Sequence, residues 1–92
     1  MRHIIFEKSF DDAVAAIGGY EIVDEVLDAI IDALYHNPYG FPHIENDWVR
    51  LHYAVTRRLT IGEREIPALV FVFVILENND VSLRHVEEYQ GY

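Results

Sequence analysis

The chain contains no cysteine, so it has no disulfide framework and no thiolate for catalysis or metal binding, which fits a reducing compartment. It is also poor in positive charge: seven Lys and Arg against 16 Asp and Glu give a net charge of −9 over 92 residues. A field of that sign opposes nonspecific nucleic-acid binding, which draws most of its affinity from cations beside phosphates. No apolar run suits a membrane span, because the longest, Ala68 to Leu76, is short and built of strand-forming types. Only Ile4, Ile5 and Phe6 separate Met1-Arg2-His3 from Glu7-Lys8, too little for a secretory signal. A cytoplasmic protein without a membrane anchor is therefore expected. Internal repeats and low-complexity segments are missing too, and 51% hydrophobic with 13% aromatic residues excludes a disordered chain. One domain over residues 1–92 is the expectation.

The apolar run is the organising stretch. Leu69, Phe71, Phe73 and Ile75 alternate with Ala68, Val70, Val72 and Val74, a strand apolar on both faces. Such a strand needs cover on both sides. Upstream, His3 to Lys8 reads as a short first strand whose place in the sheet stays open. Ser9 then reads as the N-cap of a brief helix, with Asp11 and Asp12 in its first turn and Gly18-Gly19 as its stop. Tyr20 to His36 shows the 3–4 spacing of one buried helix face through Ile22, Val23, Val26, Leu27, Ile30, Ile31 and Leu34. Asn37-Pro38 ends it. Its other face carries Glu21, Asp24, Glu25, Asp28 and Asp32, either a solvated face or a docking surface for a basic partner.

Asn37 to Asp47 reads as a loop, and Trp48 to Thr56 as a second strand in which Val49, Leu51, Tyr53 and Val55 form the buried set. Arg57 to Glu65 reads as a polar turn around Gly62. After the central strand, Asn78-Asn79-Asp80 makes a tight turn, since Asn tolerates positive φ. Val81 to Val86 is the last strand and Glu87 to Tyr92 a tail. The expected fold is α+β in the order β-α-α-β-β-β: a mostly antiparallel four-stranded sheet with two helices packed on one face.

This layout, with its long acidic-faced helix ending in Asn-Pro and a meander closing in a basic residue and a Tyr tail, resembles the RelE/ParE superfamily of toxins from bacterial toxin–antitoxin systems. Family members are typically basic. The resemblance implies either ribosome-dependent mRNA cleavage or, for ParE-like members, poisoning of gyrase, with neutralisation by an antitoxin segment. By the same resemblance Arg50 and His52 would be the basic residues of the strand after the helices. Arg84 or His85 would be the base of the last strand, and Tyr89 or Tyr92 the terminal tyrosine.

With Leu51 and its alternates toward the helices, Arg50 and His52 would share the outer face with Ser82, Arg84, Val86 and Glu88. Val70, Val72, Val74 and Val86 would then make an apolar partner-binding floor rimmed by Arg50, His52 and Arg84. The arginines suit phosphate positioning and the imidazole proton transfer, with Tyr89 as a further donor. The alternative is surface pairing of both arginines with Glu77, Glu87 or Glu88. His52, His85 and Glu87 fix no recognised metal spacing, and Gly18-Gly19 lacks the Lys of a phosphate loop, so no metal or cofactor is expected. The function expected is a toxin-like mRNA endoribonuclease held by an antitoxin. The competing expectation is a non-catalytic domain that associates with a second copy of itself through the open sheet face.

Overall fold

The computed structural model describes residues 2–45 and 50–89. In chain order its elements are β1 (Ile4–Phe6), α1 (Lys8–Ala16), α2 (Tyr20–His36), a 3-10 turn (Pro38–Gly40), β2 (His43–Glu45), β3 (Arg50–Val55), β4 (Leu59–Ile61), β5 (Arg64–Ile66), β6 (Leu69–Ile75) and β7 (Val81–Glu88). The α+β class is the expected one. The four-stranded, mostly antiparallel sheet is corrected to a mixed five-stranded sheet in the order β1-β7-β6-β3-β2, and β4 pairs separately with β5.

Three segments account for the difference. His43–Glu45, read as loop, joins β3 as an antiparallel edge strand. β1 lies parallel to β7 on the opposite edge. The polar stretch Arg57 to Glu65 holds most of a hairpin, turning at Gly62 with φ 63°. That hairpin is fastened to α2 by Arg64, which donates to the Glu21 carbonyl at 2.7 Å and pairs with Glu25 at 3.4 Å. Trp48, Val49 and Tyr92 lie outside the described residues.

α2 has the bounds its periodicity predicts, and Val23, Val26, Leu27, Ile30 and Leu34 are buried along one stripe. α1 starts one residue before the expected cap. Glu7 occupies that position, its carbonyl accepting from the Phe10 and Asp11 amides. Ser9 is inside the helix, and its hydroxyl donates to the Arg84 carbonyl at 2.6 Å. The reason is tertiary: the Glu7 amide donates to Leu83 O as β1 leaves the sheet, which fixes where the helix can begin.

A single hydrophobic cluster ties both helices to one face of the sheet. Phe10 and Val14 of α1 and Val23 and Leu34 of α2 meet Leu69, Phe71 and Phe73 of β6 and Val81, Leu83 and Val86 of β7. Phe10, fully buried, stacks on Phe71 at a centroid distance of 6.2 Å. A side chain of that size contributes about 1.5–3 kcal/mol on burial. The turn after β6 places Asn79 at φ 72°, as its sequence predicts. Arg2 clamps that turn, donating to Asn79 O at 2.7 Å and to Tyr35 O at 2.6 Å at the end of α2, where a helix favours a cation. Neither helix reaches the other face of the sheet, since every sheet residue of the cluster belongs to the first.

Candidate functional site

Register decides which side chains reach the open face, because residues paired across a sheet point the same way. His52 pairs with Phe73 and Ala54 with Phe71, so His52 and Ala54 face the helices. Leu51, Tyr53 and Val55 take the open side. This reverses the expectation for β3. Alternation reports two unlike faces without saying which one the helices cover, and here the small Ala54 sits beside the phenylalanine-filled core while the bulkier set faces outward. Arg50 shares the His52 parity and is likewise not on the open face.

In β7 the reversal is partial and has a different cause. Val72 pairs with His85 and Phe73 with Leu83, leaving Arg84 as the extra residue of a β-bulge. Before the bulge the expected alternation holds, with Val81 and Leu83 inward. After it the parity flips: Val86 is buried opposite Phe71 and Glu88 follows it inward, while His85 and Glu87 turn to the open face. Val86 is therefore a core residue and no part of a partner-binding floor. The bulge leaves Arg84 at the margin, its Nε donating to Ser82 Oγ at 2.7 Å, and Ser82 in turn donating to Glu7 Oε1 at 3.0 Å.

Two cross-strand rows define the open face. One runs Tyr53, Val72, His85 and the other Val55, Val70, Glu87; Ile44 stands beside Leu51 at the β2 edge. Val70, Val72 and Val74 are half-buried, Val55 is 46% exposed and Ile44 65% exposed. A shallow groove of about 250 Å³ lies between Ile44, Leu51, Tyr53, Val70 and Val72, with Glu87 at its end. His85 Nε2 lies 3.9 Å from Glu87, and Arg84 is linked to Glu7 through Ser82.

Arg50 and His52 line a second, more polar cleft of about 330 Å³ with Tyr39, Glu77 and Asn79, on the helix side of the sheet. Arg50 donates to Glu45 at 3.0 Å, and that bond holds the Glu45 carboxyl below the usual range. His52 is 3% exposed, its ring stacked on Phe73 at 5.3 Å and 5.2 Å from His43. Burial pushes its pKa below the ordinary imidazole value, and His43 and Arg50 add to the shift.

The five residues expected to share a catalytic site are thus dispersed. Arg50 and His52 occupy the cleft, Arg84 the bulge, His85 the open face, and Tyr89 follows β7 with its amide bound to Ala68 O at 2.8 Å. β6 separates β3 from β7, which puts about 10 Å of sheet between the two groups of bases. Among the described residues no three His, Asp or Glu side chains are grouped to hold a metal ion, and no described helix is long and apolar enough to cross a membrane. The apolar side chains of Ile44 and the β3 strand, missed as parts of the open face, could have been found only by knowing the β3–β6 register. No family model, curated protein or solved structure matches the chain.

Proposed function

We propose that the chain is a protein-interaction domain that pairs with a second copy of itself through the open sheet face. The observation that carries this reading is the uncovered apolar surface of Ile44, Leu51, Tyr53, Val55, Val70 and Val72, on the side of the sheet away from both helices. The central strands β7, β6 and β3 hold 8, 7 and 6 residues and the edges β1 and β2 three each, which at about 3.3 Å per residue and about 4.8 Å between strands covers about 430 Å². Side-chain relief brings that footprint toward the ~600 Å² per partner at the small end of specific interfaces.

The placement of charge limits the repulsion that a net charge of −9 sets against pairing of two copies. The acids of α2 are exposed on the far side of the molecule. Two copies joined face to face would hold their helix layers about 30 Å apart, three layer spacings of about 10 Å and several Debye lengths in physiological salt. At the contact itself the groove is apolar apart from Glu87 at its end.

The toxin-like reading, with mRNA cleavage by Arg50, His52, Arg84, His85 and Tyr89, ranks second because those side chains stand on two faces and at a strand end. An antitoxin segment is the rival occupant of the open face. Gel filtration with light scattering, from micromolar to millimolar chain, separates the readings. The expected result is a monomer–dimer equilibrium that added salt does not weaken. A monomer at every concentration overturns the proposal. Growth arrest on induction in a bacterial host, relieved by Arg84→Ala, would move the toxin reading to first place.

A further inference from the structure

We infer that His52 is an acid-sensitive latch on the edge strand β2: protonating its imidazole releases His43–Glu45 and, with them, the Ile44 side of the docking face. The consequence for docking rests on the function proposed above, whereas the latch itself rests on the packing around one ring.

That ring has little room for a charge. His52 is 3% exposed, set between Phe73 of β6 and His43 of β2, and its buried Nδ1 has no hydrogen-bond partner among the described residues. A neutral imidazole can leave one nitrogen unprotonated there. An imidazolium carries two N–H donors and needs an acceptor for each, and burying it unpaired is far more costly than burying the neutral ring.

The groups around it give its Nδ1 no acceptor among the described residues. β2 brings His43 and Glu45, β3 brings Arg50, the 3-10 turn brings Tyr39, and the segment after β6 brings Glu77; Phe73 is neutral. Arg50 is a cation. The Glu45 carboxylate is engaged by Arg50 at 3.0 Å, and that pair stays charged at mildly acid pH because the bond from Arg50 lowers the carboxyl's pKa.

The walls differ in strength. β6 is bonded on both sides, and its Phe73 is fully buried with Phe41 edge-on at 5.6 Å. β2 has three residues, all exposed, and among the described strands is bonded to β3 alone. β2 is therefore the wall that yields, admitting water to the ring from the His43 side. Ile44, paired with Leu51, leaves the open face with it.

The sign follows from linkage. The closed form holds His52 neutral and the open form restores an ordinary imidazole titrating near pH 6.5. Below about pH 6.5 each pH unit shifts the balance toward the open strand by up to about tenfold for one proton.

Amide hydrogen exchange on the whole chain tests this, comparing about pH 7.5 with about pH 5.5 after correction for intrinsic exchange. The probes are the β2 amides and the Tyr53 amide, which donates to Pro42 O at 3.0 Å. Opening should rise about tenfold in the native chain and stay unchanged in His52→Phe, which keeps the stack on Phe73 but takes no proton. A pH-independent β2, or an acid response that persists in His52→Phe, overturns the latch. Should His52→Phe not fold, an NMR titration of the native imidazole decides: an ordinary pKa with β2 still closed overturns it as well. Light scattering at the same two pH values reads the coupling. A dimer that weakens as β2 opens supports it, and a dimer indifferent to β2 opening overturns the regulatory part. Absence of a dimer at both values refutes the docking reading instead, and the exchange data then judge the latch alone.

Discussion

Val55→Asp is the substitution that puts most weight on the open face. Val55 lies in the row with Val70 and Glu87 and is 46% exposed in the single chain. Full burial of a valine contributes about 1.5–3 kcal/mol, so covering the exposed part is worth about 0.7–1.4 kcal/mol per copy. A two-fold dimer loses the contribution twice, about 1.5–3 kcal/mol, or roughly 10- to 100-fold in Kd. Desolvating a carboxylate near Glu87 adds to that loss, so the dimer should weaken by at least about 100-fold. The single chain should keep its fold, because the side chain already meets water. Sedimentation equilibrium gives Kd, and circular dichroism checks the fold. Ile61→Asp is the control: Ile61 is 43% exposed but belongs to the separate β4–β5 hairpin, and its Kd should equal that of the native chain. Equal weakening by both variants, or no weakening by Val55→Asp, refutes the reasoning.

Ser82→Ala should cost about 0.5–1.5 kcal/mol in urea denaturation, since it removes the buried hydroxyl between Arg84 and Glu7, whose own side chains reach water. Gly18→Ala should destabilise by more than about 1 kcal/mol, because φ is 117° and an added Cβ would lie 2.6 Å from Ile22 Cδ1. Gly62→Ala, in open space at φ 63°, should cost less, and thermal melts of the two variants compare them. The Tyr20 pKa is raised to about 12, by burial first and then by its hydrogen bond to Asp11. Its contribution to stability is present below the ordinary value near 10 and is lost as pH climbs from there toward 12. In alkaline unfolding curves the native chain should therefore lose stability across that range more steeply than Tyr20→Phe does.

Local patterns carried much of the fold and little of the site. The bounds of α2 follow from the spacing of Val23 to Leu34 between Gly19 and Asn37, and the turn at Asn79 from one residue's tolerance of positive φ. The core strand is legible because Leu69, Phe71 and Phe73 belong in a strand under any arrangement. Face assignment is a long-range property. His52 is buried because β3 meets β6 with His52 opposite Phe73, and Arg84 is a bulge because β7 needs both Leu83 and Val86 inside. Nothing within either strand encodes those choices. β2 was hidden for a related reason: three exposed residues show no pattern of their own and become a strand only by pairing with β3. The dispersal of Arg50, His52, Arg84, His85 and Tyr89 is the joint result of those two registers.

The seating of β1 has a kinetic consequence. Among the described strands Ile4, Ile5 and Phe6 pair only with β7, at Val81, Ser82 and Leu83, and Arg2 and His3 reach the same stretch at Asn79 and Asp80. During synthesis β1 has no seat until β7 has been made, so it waits unpaired while the roughly 75 residues between them are added. Closing so distant a contact is slow, and the exposed Ile4–Phe6 segment is meanwhile available to other chains. A circular permutant that begins within the β4–β5 hairpin would make both ribbons as near neighbours, and should refold faster from denaturant with less aggregate.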